Sequence, residues 1–352
     1  PVERARAGSR PSPRDRIAYK GVQIFADEMS EARREALARD AALGDVDWAE
    51  PAPGSVRSRF AAPSGELAVV SLGDPARPRV VLVPGVTGSK EDFVLMLPLL
   101  ADAGYFVQSV DLAGQYESAA AGPGDGEPFG YELFVEDLVA FLEAGGEAGS
   151  GTGAAVGSGA GTGPGAAAGS GPGAASARPA HLLGYSFAGI VSQLVAVRRP
   201  DLLRSPALFT TPPSTGNVFR SMSWVGPAAP AAGPRTAASL MLWGIMGNLN
   251  RVSPGRHAFV RARLEHTRRR SVEEILGLMM TAPDLREELR GLRVPKAVAT
   301  GARDLWPLRA HERFAAEIEA ELFVYDTGHS PCETAPHQLS LDLLRLYRQA
   351  GA

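Results

Sequence analysis

Residues 181–196, HLLGYSFAGIVSQLVA, constrain this chain more than any other stretch. Leu182 and Leu183 read as the end of a buried strand, and from Gly189 onward the apolar spacing is that of a buried helix. A strand that turns into a helix without a loop forces its apex residue into strained backbone. Bulky side chains two positions to either side would then collide. Gly184 and Ala188 stand at those two positions, with Ser186 between them. The spacing predicts a serine hydroxyl held clear of the sheet, at a helix start whose unpaired N–H groups favour negative charge.

Around this turn the chain alternates strand and helix. Strands are expected at 56–61, 66–72, 79–83, 105–112, the 181–183 run, 205–211, 295–300 and 320–325. The 79–83 run is apolar throughout, as a strand buried on both faces must be. Helices are expected at 89–104, 131–143, 189–198 and 338–349. Such alternation means an α/β fold with a mostly parallel, doubly wound sheet. It breaks after the sixth strand, where 212–284 hold a Pro/Ala loop and helices near 237–249, 255–266 and 271–280. That excursion is expected to form a helical cap over the site. Residues 144–177 are almost entirely Gly, Ala, Ser, Thr and Pro, side chains from which no core can be built, so they read as a flexible insertion. Residues 1–54 form an N-terminal extension, partly disordered, with a charged helix at 24–43 outside the main fold; the main domain is 55–350.

Five observations together resemble the α/β-hydrolase superfamily. They are the Gly184-x-Ser186-x-Ala188 turn, Pro84-Gly85 at a strand end, Asp111-x-x-Gly114 with Ser118, Gly301-x-x-Asp304-x-x-Pro307, and His329 in the loop after the last strand. The fifth position of the turn is usually glycine in that family, and Gly85 is usually preceded by histidine. The resemblance implies an α/β-hydrolase fold in which Ser186 is the nucleophile, His329 the base and Asp304 the orienting acid. It also implies an oxyanion hole formed by the backbone N–H groups of Val86 and Phe187. The expected reaction is hydrolysis of a carboxylic ester through an acyl-enzyme. The same residues serve thioesters, lactones, carbon–carbon bonds and cofactor-free perhydrolysis, and a ligand-binding homologue of low turnover would also keep them. Asp326, three residues before His329, is the competing carboxylate. Trp224, Trp243 and Met246 are candidates to line an apolar substrate pocket.

Composition excludes other classes. Thirty-six basic and 39 acidic residues give a net charge of −3, which is no field for a nucleic-acid partner. The longest apolar run, 240–246, is too short for a bilayer, so no membrane association is expected. One cysteine, Cys332, excludes an internal disulfide, and scattered histidines give no metal-ligand spacing. No apolar run follows the basic first residues, so no signal peptide and a cytoplasmic location are expected. The expected partner is a small ester-like molecule, with no metal and no cofactor.

Overall fold

The computed structural model describes residues 31–145, 178–222, 233–249 and 252–351. Eight strands form one sheet in the order β1-β2-β4-β3-β5-β6-β7-β8. They are β1 (Val56–Ala62), β2 (Gly65–Leu72), β3 (Arg79–Val83), β4 (Phe106–Val110), β5 (Ala180–Tyr185), β6 (Leu203–Phe209), β7 (Ala297–Gly301) and β8 (Glu321–Tyr325). β1 and β2 make an antiparallel hairpin and β2 runs antiparallel to β4; every other pair is parallel.

Alternating side chains of these strands feed two separate cores, as the two-residue period of a strand requires. Val69, Val81, Leu182, Leu208 and Val298 join the core beneath α3 (Tyr131–Glu143), α4 (Phe187–Arg198) and α9 (Leu308–Glu317). Val70, Leu82, Leu183, Ala207 and Ala299 join the core beneath α2 (Met96–Asp102) and α11 (Pro336–Gln349). β3, β4, β5 and β7 are buried along their whole length, and β3 is accordingly apolar from Val80 to Val83.

Between β6 and β7 come α5 (Pro234–Met246), α6 (Pro254–His266), α7 (Arg269–Met279) and α8 (Arg286–Gly291). The first three match the sequence expectation to within a turn. α8 is a single six-residue element, too short to display an apolar period, and sequence pattern gave it no signal.

The first described helix, α1 (Glu31–Ala41), lies against α11. Its buried Asp40 accepts hydrogen bonds from the backbone N–H groups of His337 (2.9 Å) and Gln338 (3.1 Å), and from Gln338 Nε2 (2.9 Å). These are first-turn donors of α11, which have no partner within their own helix. A remote carboxylate therefore caps α11 in the way a local Asp or Ser ordinarily would. Arg33 adds an ion pair to Asp342 at 2.5 Å. Residues 146–177 of the expected flexible insertion (144–177), residues 24–30 of the expected first helix and Trp224 lie outside the described residues. Among the described residues no helix is long and apolar enough to cross a membrane.

Candidate active site

Ser186 stands between β5 and α4 with φ 54° and ψ −115°, a conformation that costs about 1–3 kcal/mol in a non-glycine residue. Its N–H donates to Phe209 O at 2.8 Å and its carbonyl accepts from Gly189 N at 3.0 Å, so both neighbours of the turn are fixed. A Cβ on Gly184 would collide with Ser192 Oγ and lie 2.5 Å from Ala188 O. A residue without a side chain is thus required by contact at position 184, as the spacing predicted. Gly85 in turn rests on the serine: a Cβ there would lie 3.0 Å from Ser186 Cβ. Ser186 is buried, with 6% of its surface exposed.

His329 follows β8. Its Nδ1 lies 2.5 Å from Asp304 Oδ1, and its ring centroid lies 5.4 Å from that of Tyr185 and 5.8 Å from that of Trp306. Tyr185 precedes Ser186 directly, and its hydroxyl meets Ser330 Oγ at 2.8 Å, which ties the histidine loop to the turn. Asp304 follows β7, whose pairing with β8 continues past the strand ends through Ala302 N to Tyr325 O (2.7 Å) and Arg303 N to Thr327 O (2.9 Å). The two loops consequently run side by side. Burial pushes the Asp304 carboxyl up, but the charge of His329 and hydrogen bonds from His311 and His329 outweigh it. The group is held well below the usual carboxylate range. Asp326 turns outward, 87% exposed along its side chain, and pairs with Arg303. The carboxylate on the imidazole is therefore Asp304.

The loop after β3 is positioned by polar side chains from the loop after β4. Gln115 Oε1 accepts from Thr87 N at 2.9 Å, and Asp111 Oδ1 accepts from Lys90 N at 2.6 Å. Thr87 has φ 62° and Gly88 N returns to Gly85 O at 3.0 Å, which closes a tight turn around Val86. Val86 thereby follows the residue that touches Ser186. Phe187 is the first residue of α4, where helical N–H groups have no intrahelical acceptor.

Trp243 and Met246 lie on α5 at 67% and 41% exposure, with Leu240 and Leu249 exposed on the same three-residue spacing. The structure does not bring them to the Ser186 turn. Three features gave no signal in the sequence. Arg256 and Arg263 of α6 both bond Asp92 Oδ1 (2.6 and 2.5 Å), and Arg256 also bonds Glu333 (2.6 Å), all buried. Lys90 is buried among Glu91 (2.9 Å), Glu117 (3.0 Å) and Asp111 (3.5 Å). A second histidine, His311, meets Asp304 Oδ2 at 2.8 Å. Most of these partners are far apart in the chain, and no local spacing announces their pairing. Among the described residues no group of three His, Cys, Asp or Glu side chains could hold a metal ion.

The strand order, the serine at the start of α4 and the histidine–carboxylate pair after the last two strands fit the layout of an α/β-hydrolase fold. The chain belongs to the alpha/beta hydrolase family, whose sequence model matches residues 80–341, and is accordingly a hydrolase. Among solved structures it is similar to a hydrolase from Pseudomonas aeruginosa, with 23% identity and TM-score 0.61 over 84% of this chain and 98% of that one. It is similar also to a thermophilic esterase from Thermogutta terrifontis (21%, TM-score 0.60, 84% and 100% covered). An enol-lactonase from Burkholderia xenovorans gives 18%, TM-score 0.59, with 82% and 98% covered. These likenesses are likenesses of fold. No curated protein matches the sequence significantly.

Proposed function

We propose that the chain hydrolyses carboxylic esters of small or medium apolar substrates through an acyl-enzyme on Ser186. The observation that carries this reading is the 2.5 Å contact of His329 Nδ1 with a buried Asp304, in the loop tied to the strained Ser186 turn. With Nδ1 engaged by the carboxylate, the free position of the ring is Nε2. Nε2 accepts the Ser186 proton as Oγ attacks the ester carbonyl carbon. The carbonyl oxygen takes the negative charge and is stabilised by the backbone N–H groups of Val86 and Phe187. Collapse expels the alcohol, which receives its proton from His329. A water molecule, deprotonated by the same imidazole, then attacks the acyl carbon and releases the acid. Asp304 keeps its charge throughout and stabilises the imidazolium.

The helices between β6 and β7 are proposed to act as the cap. A panel of p-nitrophenyl esters of increasing acyl length, run beside thioester and lactone substrates, tests the reading. Ester turnover that is abolished by a fluorophosphonate supports it. Absence of ester turnover with efficient cleavage of another acyl bond would reassign the substrate class.

A further inference from the structure

Asp304 carries two imidazoles, and only one of them is needed for the proposed chemistry. His311 comes from α9 and meets Oδ2 at 2.8 Å, while His329 meets Oδ1 at 2.5 Å. The side chains of His311 and Asp304 are entirely buried. Nδ1 of His311 is buried with no hydrogen-bond partner among the described residues. An ionised carboxylate can only accept, so the proton of the contact belongs to His311 Nε2. A second proton, on Nδ1, would be a buried donor with nothing to receive it, which is costly. His311 is thus a neutral donor with its tautomer fixed by its surroundings.

A carboxylate turns about a broad terminal torsion and needs a second anchor if one oxygen is to face a given partner. The other groups at hand do not supply it. Thr300 Oγ1 is 3.4 Å from Oδ2, and Arg303 points outward to Asp326. We propose that His311 is a positioning residue. It holds Oδ2 so that Oδ1 faces His329 Nδ1, and through Asp304 it fixes the tautomer that leaves Nε2 to Ser186. The proposal rests on the reading of Ser186, His329 and Asp304 given above.

Three variants separate the possibilities. In His311→Gln the amide nitrogen reaches the same place and keeps a donor; His311→Leu fills the space without one; Ser186→Ala is the control for the site itself. The pH dependence of kcat/KM on a p-nitrophenyl ester is read for each, and melting temperature establishes folding. His311→Leu is expected to lose roughly tenfold to hundredfold, mainly in kcat, the worth of one hydrogen bond to a charged group. Its acidic limb moves to higher pH, because a hydrogen bond that holds Asp304 below the usual carboxylate range is gone. His311→Gln restores activity to within about threefold of wild type. A folded His311→Leu with the wild-type rate and limb overturns the proposal, as does a His311→Gln that fails as badly as the leucine variant, which would mean packing alone. Should His311→Leu not fold, nitrogen-15 spectra of the wild-type protein decide: a neutral His311 protonated at Nε2 upholds the proposal, and a cation or the other tautomer overturns it. If Ser186→Ala keeps its activity, the reading of the site falls and this proposal with it. Loss in Ser186→Ala beside an unaffected His311→Leu overturns this proposal alone.

Discussion

Ser186 adopts a φ of 54° in a turn where Gly184 and Gly85 leave no room for a Cβ. The part played by Gly184 was legible in the sequence because it is local, two residues from the serine; that of Gly85 comes from a distant strand end. Gly184→Val is accordingly expected to abolish ester hydrolysis and to lower the melting temperature, since its Cβ alone would meet Ser192 and Ala188. A folded variant with wild-type turnover would show the turn to be more yielding than its contacts imply. Asp304 was legible as the acid through the family resemblance, not through any local steric demand. Asp304 and Asp326 were both within reach on paper, and the paired β7 and β8 loops put the first on the imidazole and the second in solvent beside Arg303. Asp304→Asn is expected to lose about 10⁴ in kcat, and Asp326→Asn about tenfold or less. The opposite ranking in two folded variants would move the acid to Asp326. His311 escaped sequence reading because a histidine on an amphipathic helix carries no mark of what it faces.

The same distinction between local and distant partners decides which elements could be read. Sheet strands and flanking helices announced themselves through two- and 3.6-residue periods, whereas the attachment of α6 depends on charges spread over much of the chain. Arg256 joins Asp92, in the segment that follows β3, to Glu333, four residues beyond His329 in the chain. Trp48 packs against its guanidinium, 4.6 Å from the ring centroid, and Asp45 accepts from Ser253 Oγ and Gly255 N at the start of α6, both at 2.6 Å. The charged, weakly amphipathic α1 offered no reason in sequence to expect a partner; its Asp40 and Arg33 find theirs on α11. Arg256→Met leaves Glu333 buried without its cation and is expected to destabilise the protein by about 3–5 kcal/mol in urea titration. A loss under about 1 kcal/mol would mean that Glu333 takes up a proton at little cost. On α5, Trp243 is 67% exposed, so Trp243→Ala is expected to leave the preferred acyl length unchanged. A shifted chain-length profile would bring Trp243 back into the substrate pocket.

Across the whole molecule, pH acts through groups that the sheet buries as well as through the site. His181 of β5 stacks on Tyr347 with ring centroids 4.0 Å apart, bonds Ser205 Oγ at 2.8 Å through Nδ1, and has a buried Nε2 without a partner. Burial, with a smaller push from Arg204, lowers it to about 3. The unfolded chain takes up this proton near pH 6.5 and the folded chain only near 3, so stability falls as pH drops through that window. His181→Phe is expected to flatten the fall, by roughly 2 kcal/mol between about pH 6.5 and about pH 4.5, in denaturation curves taken at several pH values. An unaltered acid slope would assign the fall to other groups. At this scale the sequence disclosed the order of strands and helices, because each βα unit is written locally. It did not disclose the seating of α1 and α6, which rests on single buried charges. The central claim, that this fold presents Ser186 as a nucleophile, is tested most directly by treating wild type and Ser186→Ala with a fluorophosphonate and mapping the adduct by peptide mass. The account predicts one adduct on Ser186 in the wild type, with loss of p-nitrophenyl ester hydrolysis, and neither adduct nor hydrolysis in a folded Ser186→Ala. Labelling of another residue, or undiminished hydrolysis by the alanine variant, would contradict it.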